Sequence, residues 1–498
     1  MKKSSLIIAI VLLAFAGTFL NAYADERTDF SLQQALDQAL ESNLSLKVER
    51  ISPPISKLDI QKNKGVFDPN FSLKSNYDDG RTPLTKQYSI AAGGLLQTQS
   101  KTMTSLGELR GKIPLGTQYL LNFKSIRDSS TFNRFDAEYS QVASFTLIQP
   151  LLKDFGTGTN TAWIRISKNN FTSSKLKLKQ TIIDLVSQVE STYWDLVLAR
   201  EDLEVKKESL KLAQSLFEQT ETKAKIGTVS PLEVVQARAG VATREESLLL
   251  AEQAIKLQEN NLKKLLFKDM LLHRMTQPIP TEQAQPEYHE ASIDERIKWA
   301  LENRPDLKQM KLELENQNIL LKYYQNQSLP RLDLQGTLGL NGLGGGFANA
   351  LDNTFSEDNP LWGVGINVTY PLGNRTEKAN VQQSKLQIKK SLLELKKLED
   401  NIIIDTDTLT SQVATLWKKI QASALSKQYA EEALKAEQKK YEAGISTSHN
   451  VLDFEEDLAI AKSNELHSQV DYMKASIELD RTQGTTLETN HIHIFEEE

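Results

Sequence analysis

Residues 159–226 read TNTAWIRISKNNFTSSKLKLKQTIIDLVSQVESTYWDLVLAREDLEVKKESLKLAQSLFEQTETKAKI, without one glycine or proline. A second such run extends from Asn374 to Ala443. Apolar residues recur three and four apart in both, as in Ile182, Val186, Val189, Tyr193 and Val197, and in Leu409, Val413, Leu416 and Ile420. That spacing predicts a coiled-coil stripe on two very long helices. At 1.5 Å per residue each would be about 100 Å long, far beyond what a globular domain uses. Each run stops at a glycine, Gly227 or Gly444, suited to a left-handed helix cap.

Working outward, four shorter helical segments are expected: Ser31 to about Lys64, Leu232 to about Lys268, Ser292 to about Gln327, and Ser448 to about Gln483. In pairs their lengths nearly equal the long runs, which suggests two short helices stacked end to end beside each long one. Strands precede the long helices. Leu332, Leu334, Gly336, Leu338 and Leu340 alternate with polar residues or glycine, and so do Trp362, Val364, Ile366, Val368 and Tyr370. Both runs are long enough for a tilted membrane strand. Phe71 to Tyr77 and Val142 to Ile148 are their counterparts, separated by extra material with a hairpin around Pro114-Leu115-Gly116-Thr117. Whether that material adds membrane strands is open at this level.

The correspondence amounts to an internal repeat. Ser31 aligns with Ser292 and, at the same offset, Ala39-Leu40-Glu41 with Ala300-Leu301-Glu302 and Pro69 with Pro330. The expected organisation is a signal peptide over 1–24, a first repeat over 25–277, a linker over 278–291, a second repeat over 292–484 and an acidic tail over 485–498. The class is an α+β membrane protein. Four strands cannot close a barrel, and an open edge in lipid is not viable, so the chain must oligomerise.

Composition narrows the function. The 498 residues are 39% hydrophobic and 25% charged, with net charge −6 and no cysteine. This argues against nucleic-acid binding and removes disulfides, thiolate metal sites and cysteine nucleophiles. Lys2, Lys3, the apolar run from Leu6 to Phe15 and Ala22-Tyr23-Ala24 read as a secretory signal. The six histidines, His273, His289, His449, His467, His491 and His493, are scattered, and His491-Ile492-His493 reads as solvated tail without a third ligand. Asp405-Thr406-Asp407 lacks the glycine and glutamate of a calcium loop. The glycine-rich stretch Gly342 to Gly346 reads as a loop. With no nucleophile elbow, phosphate loop or zinc motif, no enzyme, cofactor or metal is expected.

Ala300-Leu301-Glu302-Asn303-Arg304-Pro305-Asp306-Leu307, the proline before each first strand, Gln149-Pro150-Leu151-Leu152 with Gly156, and Tyr441-Glu442-Ala443-Gly444 followed by Val451-Leu452-Asp453 occur in an order that resembles the TolC-like outer-membrane efflux proteins. The resemblance implies a homotrimer in the outer membrane of a Gram-negative cell, with twelve barrel strands continuous with a twelve-helix periplasmic tube. It implies a periplasmic adaptor (membrane fusion) protein and an inner-membrane transporter as partners, and thus an exit duct for a tripartite pump or type I secretion system. The alternative is a passive porin or a structural coiled coil of the envelope. A porin has no use for such helices, and a structural coiled coil none for the strands.

The same resemblance assigns the turns at Gly227, Thr228 and Val229 and at Gly444 and Ile445 to adaptor docking. It places a gate at Tyr441, Asn450 and Asp453, where the family carries two carboxylates after the glycine and this chain keeps one. The family's latching arginine and acid correspond to Ser446 and Glu233, which cannot form that ion pair.

Overall fold

The computed structural model describes residues 27–493 except His289 and Glu357. The expected signal segment, His289 and the last five residues of the tail lie outside the described residues. The chain divides into two units: one comprises the residues up to 52, 175–309 and those from 396 onward, the other 53–174 and 310–395.

The first unit is built on helices. The two glycine- and proline-free runs are single helices, α4 (Ala162–Lys225) and α9 (Arg375–Glu442), and both also extend into the other unit. With them are α1 (Leu32–Ser42), α2 (Leu44–Glu49), α5 (Pro231–Leu266), α6 (Ile293–Asn303) and α10 (Ser448–Gln483). The expected stripe of α4 is the core: Ile182, Val186, Val189, Tyr193 and Val197 are buried with Ala35, Leu36 and Ala39 of α1 and Leu262 and Leu266 of α5. On α9, Val413 is buried, and Leu409, Leu416 and Ile420 pack partly buried around it with Tyr472 and Leu479 of α10.

The first short segment is not one helix. It breaks at Asn43, whose side chain turns inward to accept from the Leu46 N–H and donates to the Leu265 carbonyl. Arg304 breaks the third segment with the same backbone angles, φ −59° and ψ 124°. Ser31 and Ser292 start α1 and α6 with the same reciprocal cap, closed by Gln34 and Glu295. At these breaks α1 meets the end of α5 and α6 the end of α10. A short parallel pair, β1 (Arg27–Phe30) with β6 (Gln277–Pro280), was not expected, being too brief to show a period.

The second unit holds α3 (Ser52–Lys64), most of α7 (Pro305–Gln327) and one antiparallel sheet. Its strands are β2 (Asn70–Pro83), β3 (Gln97–Lys112), β4 (Gln118–Ser130), β5 (Glu138–Pro150), β7 (Arg331–Gly344) and β8 (Pro360–Thr369), in that spatial order. The expected hairpin around Pro114-Leu115-Gly116-Thr117 is present, and the sheet has six strands where the sequence reading counted four. The extra material forms two further strands, β3 and β4, hydrogen-bonded between β2 and β5 along their length. They escape a hydropathy reading because glycine and serine occupy positions that alternation would make apolar, as in Ser105, Gly107 and Gly111.

Gly342 to Gly346 is not simply a loop, since β7 runs to Gly344 and α8 (Phe347–Phe355) folds back onto it. The glycines make that approach possible: a Cβ on Gly342 would sit 2.2 Å from Thr354 Oγ1, and one on Gly344 2.6 Å from the Ala350 nitrogen.

Candidate functional site

The candidate residues gather at two helix turns in the helical unit. Gly227 follows α4 with φ +79° and Gly444 follows α9 with φ +77°. In each, the glycine N–H reaches back three residues, to Ala224 (3.0 Å) or Tyr441 (3.2 Å). The next N–H reaches back five, to Lys223 or Lys440 (3.0 Å each). This double bond pattern satisfies the carbonyls a helix end leaves free, and it needs the left-handed backbone that glycine adopts without strain. The chain then restarts under Ser230, whose Oγ accepts from the Leu232 N–H, and under Thr447, whose Oγ1 accepts from the Asn450 N–H. Both turns expose apolar side chains: Ile226, Leu232 and Val235 at the first, Ile445 at the second. Thr228 is exposed and Val229 half-buried.

Tyr441 is 3% exposed, in a cluster with Ala213, Leu216, Leu434, Val451, Leu452 and Leu458. Thr220 Oγ1 donates to the Leu216 carbonyl (2.7 Å), so the Tyr441 hydroxyl donates to Thr220 (2.8 Å). Lys223 Nζ lies 3.6 Å from the Tyr441 ring centroid and donates to its carbonyl (3.0 Å). Hydrophobic packing, one hydrogen bond and a cation-π contact thus fix this α9 side chain against α4 and α10.

The remaining positions are linked by smaller bonds. Ser446 Oγ donates to Glu437, and Asn450 Nδ2 donates to Ser446 (3.3 Å). Lys440 and then Ser446 hold the Glu437 carboxyl below the usual carboxylate range. Glu233 accepts from the backbone and hydroxyl of Ser448, both at 3.4 Å. Asn450, Asp453 and Asp457 form one exposed face of α10, while Val451, Leu452, Glu455 and Leu458 are buried on the other. His449 Nδ1 stands 3.6 Å from Asp453 Oδ1.

Sequence reasoning missed Glu455 and Arg244. Arg244, on α5, is buried and donates to the carbonyls of Leu452 (2.9 Å) and Gly240 (3.2 Å). Glu455 is 3% exposed, and burial pushes its carboxyl up to about 7 against the pull of Arg244. Their spacing places both in the apolar register, Glu455 between Val451 and Leu458 and Arg244 between Ala237 and Ala251, but a charged side chain there reads as part of the polar face.

Comparison with known proteins places this architecture. The family model described as outer membrane efflux protein matches residues 118–266 and 297–485. The pyoverdine export outer membrane protein OpmQ of Pseudomonas aeruginosa is 22% identical over 332 residues, 66% of this chain and 67% of that one. The outer membrane channel CmeC of Campylobacter jejuni superposes with TM-score 0.66 at 18% identity, covering 91% of this chain and 86% of that chain. VceC of Vibrio cholerae does so with TM-score 0.65 at 16% identity, covering 91% and 96%. With well over half of its length matched by the family model, this chain belongs to the outer membrane efflux protein family, and it is an outer-membrane efflux channel with a large periplasmic helical portion.

Proposed function

We propose that the channel is a homotrimer of two-repeat chains, serving as the exit duct of a tripartite pump or type I secretion system. A periplasmic adaptor would dock at the two glycine turns, and an inner-membrane transporter would supply the substrate. The observation that carries this reading is a single chain joining a sheet whose two edges are unpaired among the described residues to helices of 64 and 68 residues. The edges require further copies in lipid, and the helices are superfluous in a porin. The matching caps at Ser31 and Ser292, the matching breaks at Asn43 and Arg304, and the matching turns at Gly227 and Gly444 support the two repeats. Exposed Ile226 and Ile445 support docking, because apolar side chains at a helix turn suit a protein partner. We further assign the gate to the turns, with Asp453 as its selectivity residue and closure held by packing around Tyr441. The relatives named for pyoverdine export make a small exported molecule one substrate class to test. Mass measurement of the detergent-solubilised protein checks the assembly: three copies are expected, and a monomer or dimer as the sole stable species refutes it.

A further inference from the structure

Register across the sheet shows what the inserted hairpin does. Phe71 of β2 pairs with Leu109 of β3, Leu109 with Leu121 of β4, Leu121 with Phe145 of β5, Phe145 with Leu338 of β7, and Leu338 with Trp362 of β8. One apolar row therefore crosses all six strands without interruption. Five of its six members are 40% to 74% exposed, although a soluble sheet would cover such a row. On the opposite face the neighbouring row runs Ser72, Glu108, Asn122, Ser144 and Gly339, polar or small on five strands, and ends on β8 at the apolar Leu361. An apolar outside and a polar inside are what a membrane barrel strand needs, and β3 and β4 share both faces with their neighbours.

The apolar belt also slides along the sheet. On β2 it extends from the Phe71 row through Leu73 and Ser75 to Tyr77. On β8 it extends from the Trp362 row the other way, through Val364 and Ile366 to Val368. A belt that stays level in a membrane crosses the hydrogen-bond rows obliquely when strands tilt by about 35° to 45°. From these features we propose that each copy contributes six membrane strands, the β3–β4 hairpin included. β8 of one copy then pairs antiparallel with β2 of the next, and Leu73 stands opposite Ile366. Three copies then carry eighteen strands rather than twelve.

This register matches belt to belt: Phe71 meets Val368, Ser75 meets Val364 and Tyr77 meets Trp362. It pairs all of β8, from Thr369 opposite Asn70 to Pro360 opposite Asp79, within the span of β2. Each copy then adds a shear of about six for six strands, the ratio of an eight-stranded barrel with shear 8, whose strands tilt about 36°. Strand direction is consistent, since six antiparallel strands bring opposite directions to the two edges. Barrel diameter grows about linearly with strand number, and barrels of 16 to 18 strands enclose an open aqueous channel. The outer-membrane mouth is thus wide enough for bulky cargo and imposes little sieving of its own.

The inference rests on the oligomeric duct reading, and the test separates the two. The chain lacks cysteine, so introduced cysteines report alone. Full-length protein carrying Leu73→Cys with Val364→Cys, Ile366→Cys or Val368→Cys is treated with a short bismaleimide in outer membranes and run under denaturing conditions. Covalent multimers are expected, strongest for the Ile366 pair. Trimer by mass without a multimer from any of the three pairs overturns the edge pairing and leaves the duct reading standing; a monomer by mass overturns both. A nitroxide at Leu121→Cys in liposomes is expected to be more accessible to oxygen than to a water-soluble relaxant, and one at Asn122→Cys the reverse. A water-exposed Leu121 label overturns the membrane placement of the hairpin.

Discussion

At the scale of residues, Glu455 is the position whose chemistry differs most from its appearance in the sequence. Burial raises its carboxyl from 4.5 to about 7, so the folded protein keeps a proton that the unfolded chain has lost. The folded state binds more protons between those values, and stability therefore falls as pH rises from about 4.5 to about 7. A shift of this size corresponds to about 3 kcal/mol at most, reduced where water or Arg244 relieves the charge. Glu190, pushed up to about 7 by burial near Asn490, adds a loss of the same sign. The wild-type unfolding temperature should drop across that window when followed by helical circular dichroism, and Glu455→Gln should lessen the drop. Equal drops in both proteins would show that Glu455 is solvated. None of this was legible in the sequence, because burial of a glutamate depends on which helix packs over it. Tyr441 was legible as a landmark, but its bond to Thr220 joins residues far apart in the chain.

At the scale of elements, the long helices and their turns were legible because they follow from absence and local chemistry. Two runs without glycine or proline leave the backbone no reason to stop, and Gly227 and Gly444 then supply the left-handed exit. A Cβ added at either position would meet no atom within 4 Å beyond its chain neighbours, so the cost of a side chain there is conformational rather than steric. A residue with a Cβ in this conformation costs about 1 to 2 kcal/mol, and a β-branched one more. Gly227→Val and Gly444→Val should therefore distort the turns while the cores around Tyr193 and Val413 hold. The expected outcome is export reduced at least tenfold, with the oligomer still present in outer membranes by mass. Wild-type export from both variants would remove the turns from the docking role. The break at Asn43 and the strands β3 and β4 were illegible for a common reason. Each is decided by pairing with a distant segment: Leu265 for Asn43, and β2 and β5 for the two strands, whose turn at Pro114 to Thr117 was expected but whose extent and place in the sheet were not.

At the scale of the whole molecule, the wide outer mouth proposed above would move selectivity to another part of the duct. Asp453 is the candidate: exposed on α10, approached among the described residues by His449 at 3.6 Å, and on the same face as Asn450 and Asp457. One such carboxylate on one chain is an ordinary solvated acid. Three copies around a narrow axis superpose their fields where low-dielectric walls focus them, which raises the local cation concentration by about tenfold or more. With Asn450 and Ser446 uncharged, Asp453 and Glu233 are the carboxylates among the proposed gate positions, and Asp453 is the more exposed on its helix face. Single-channel recording in planar bilayers measures its effect directly. Asp453→Ala should weaken block by a divalent cation by about tenfold in dilute salt, and the difference should shrink at 1 M salt, where the screening length falls to about 3 Å. Asp405→Ala, exposed on α9 and outside the turns, should leave block unchanged. Unaltered block in the Asp453→Ala channel would return that carboxylate to an ordinary solvated helix face, and equal weakening in both variants would mean that the block senses net charge rather than a ring.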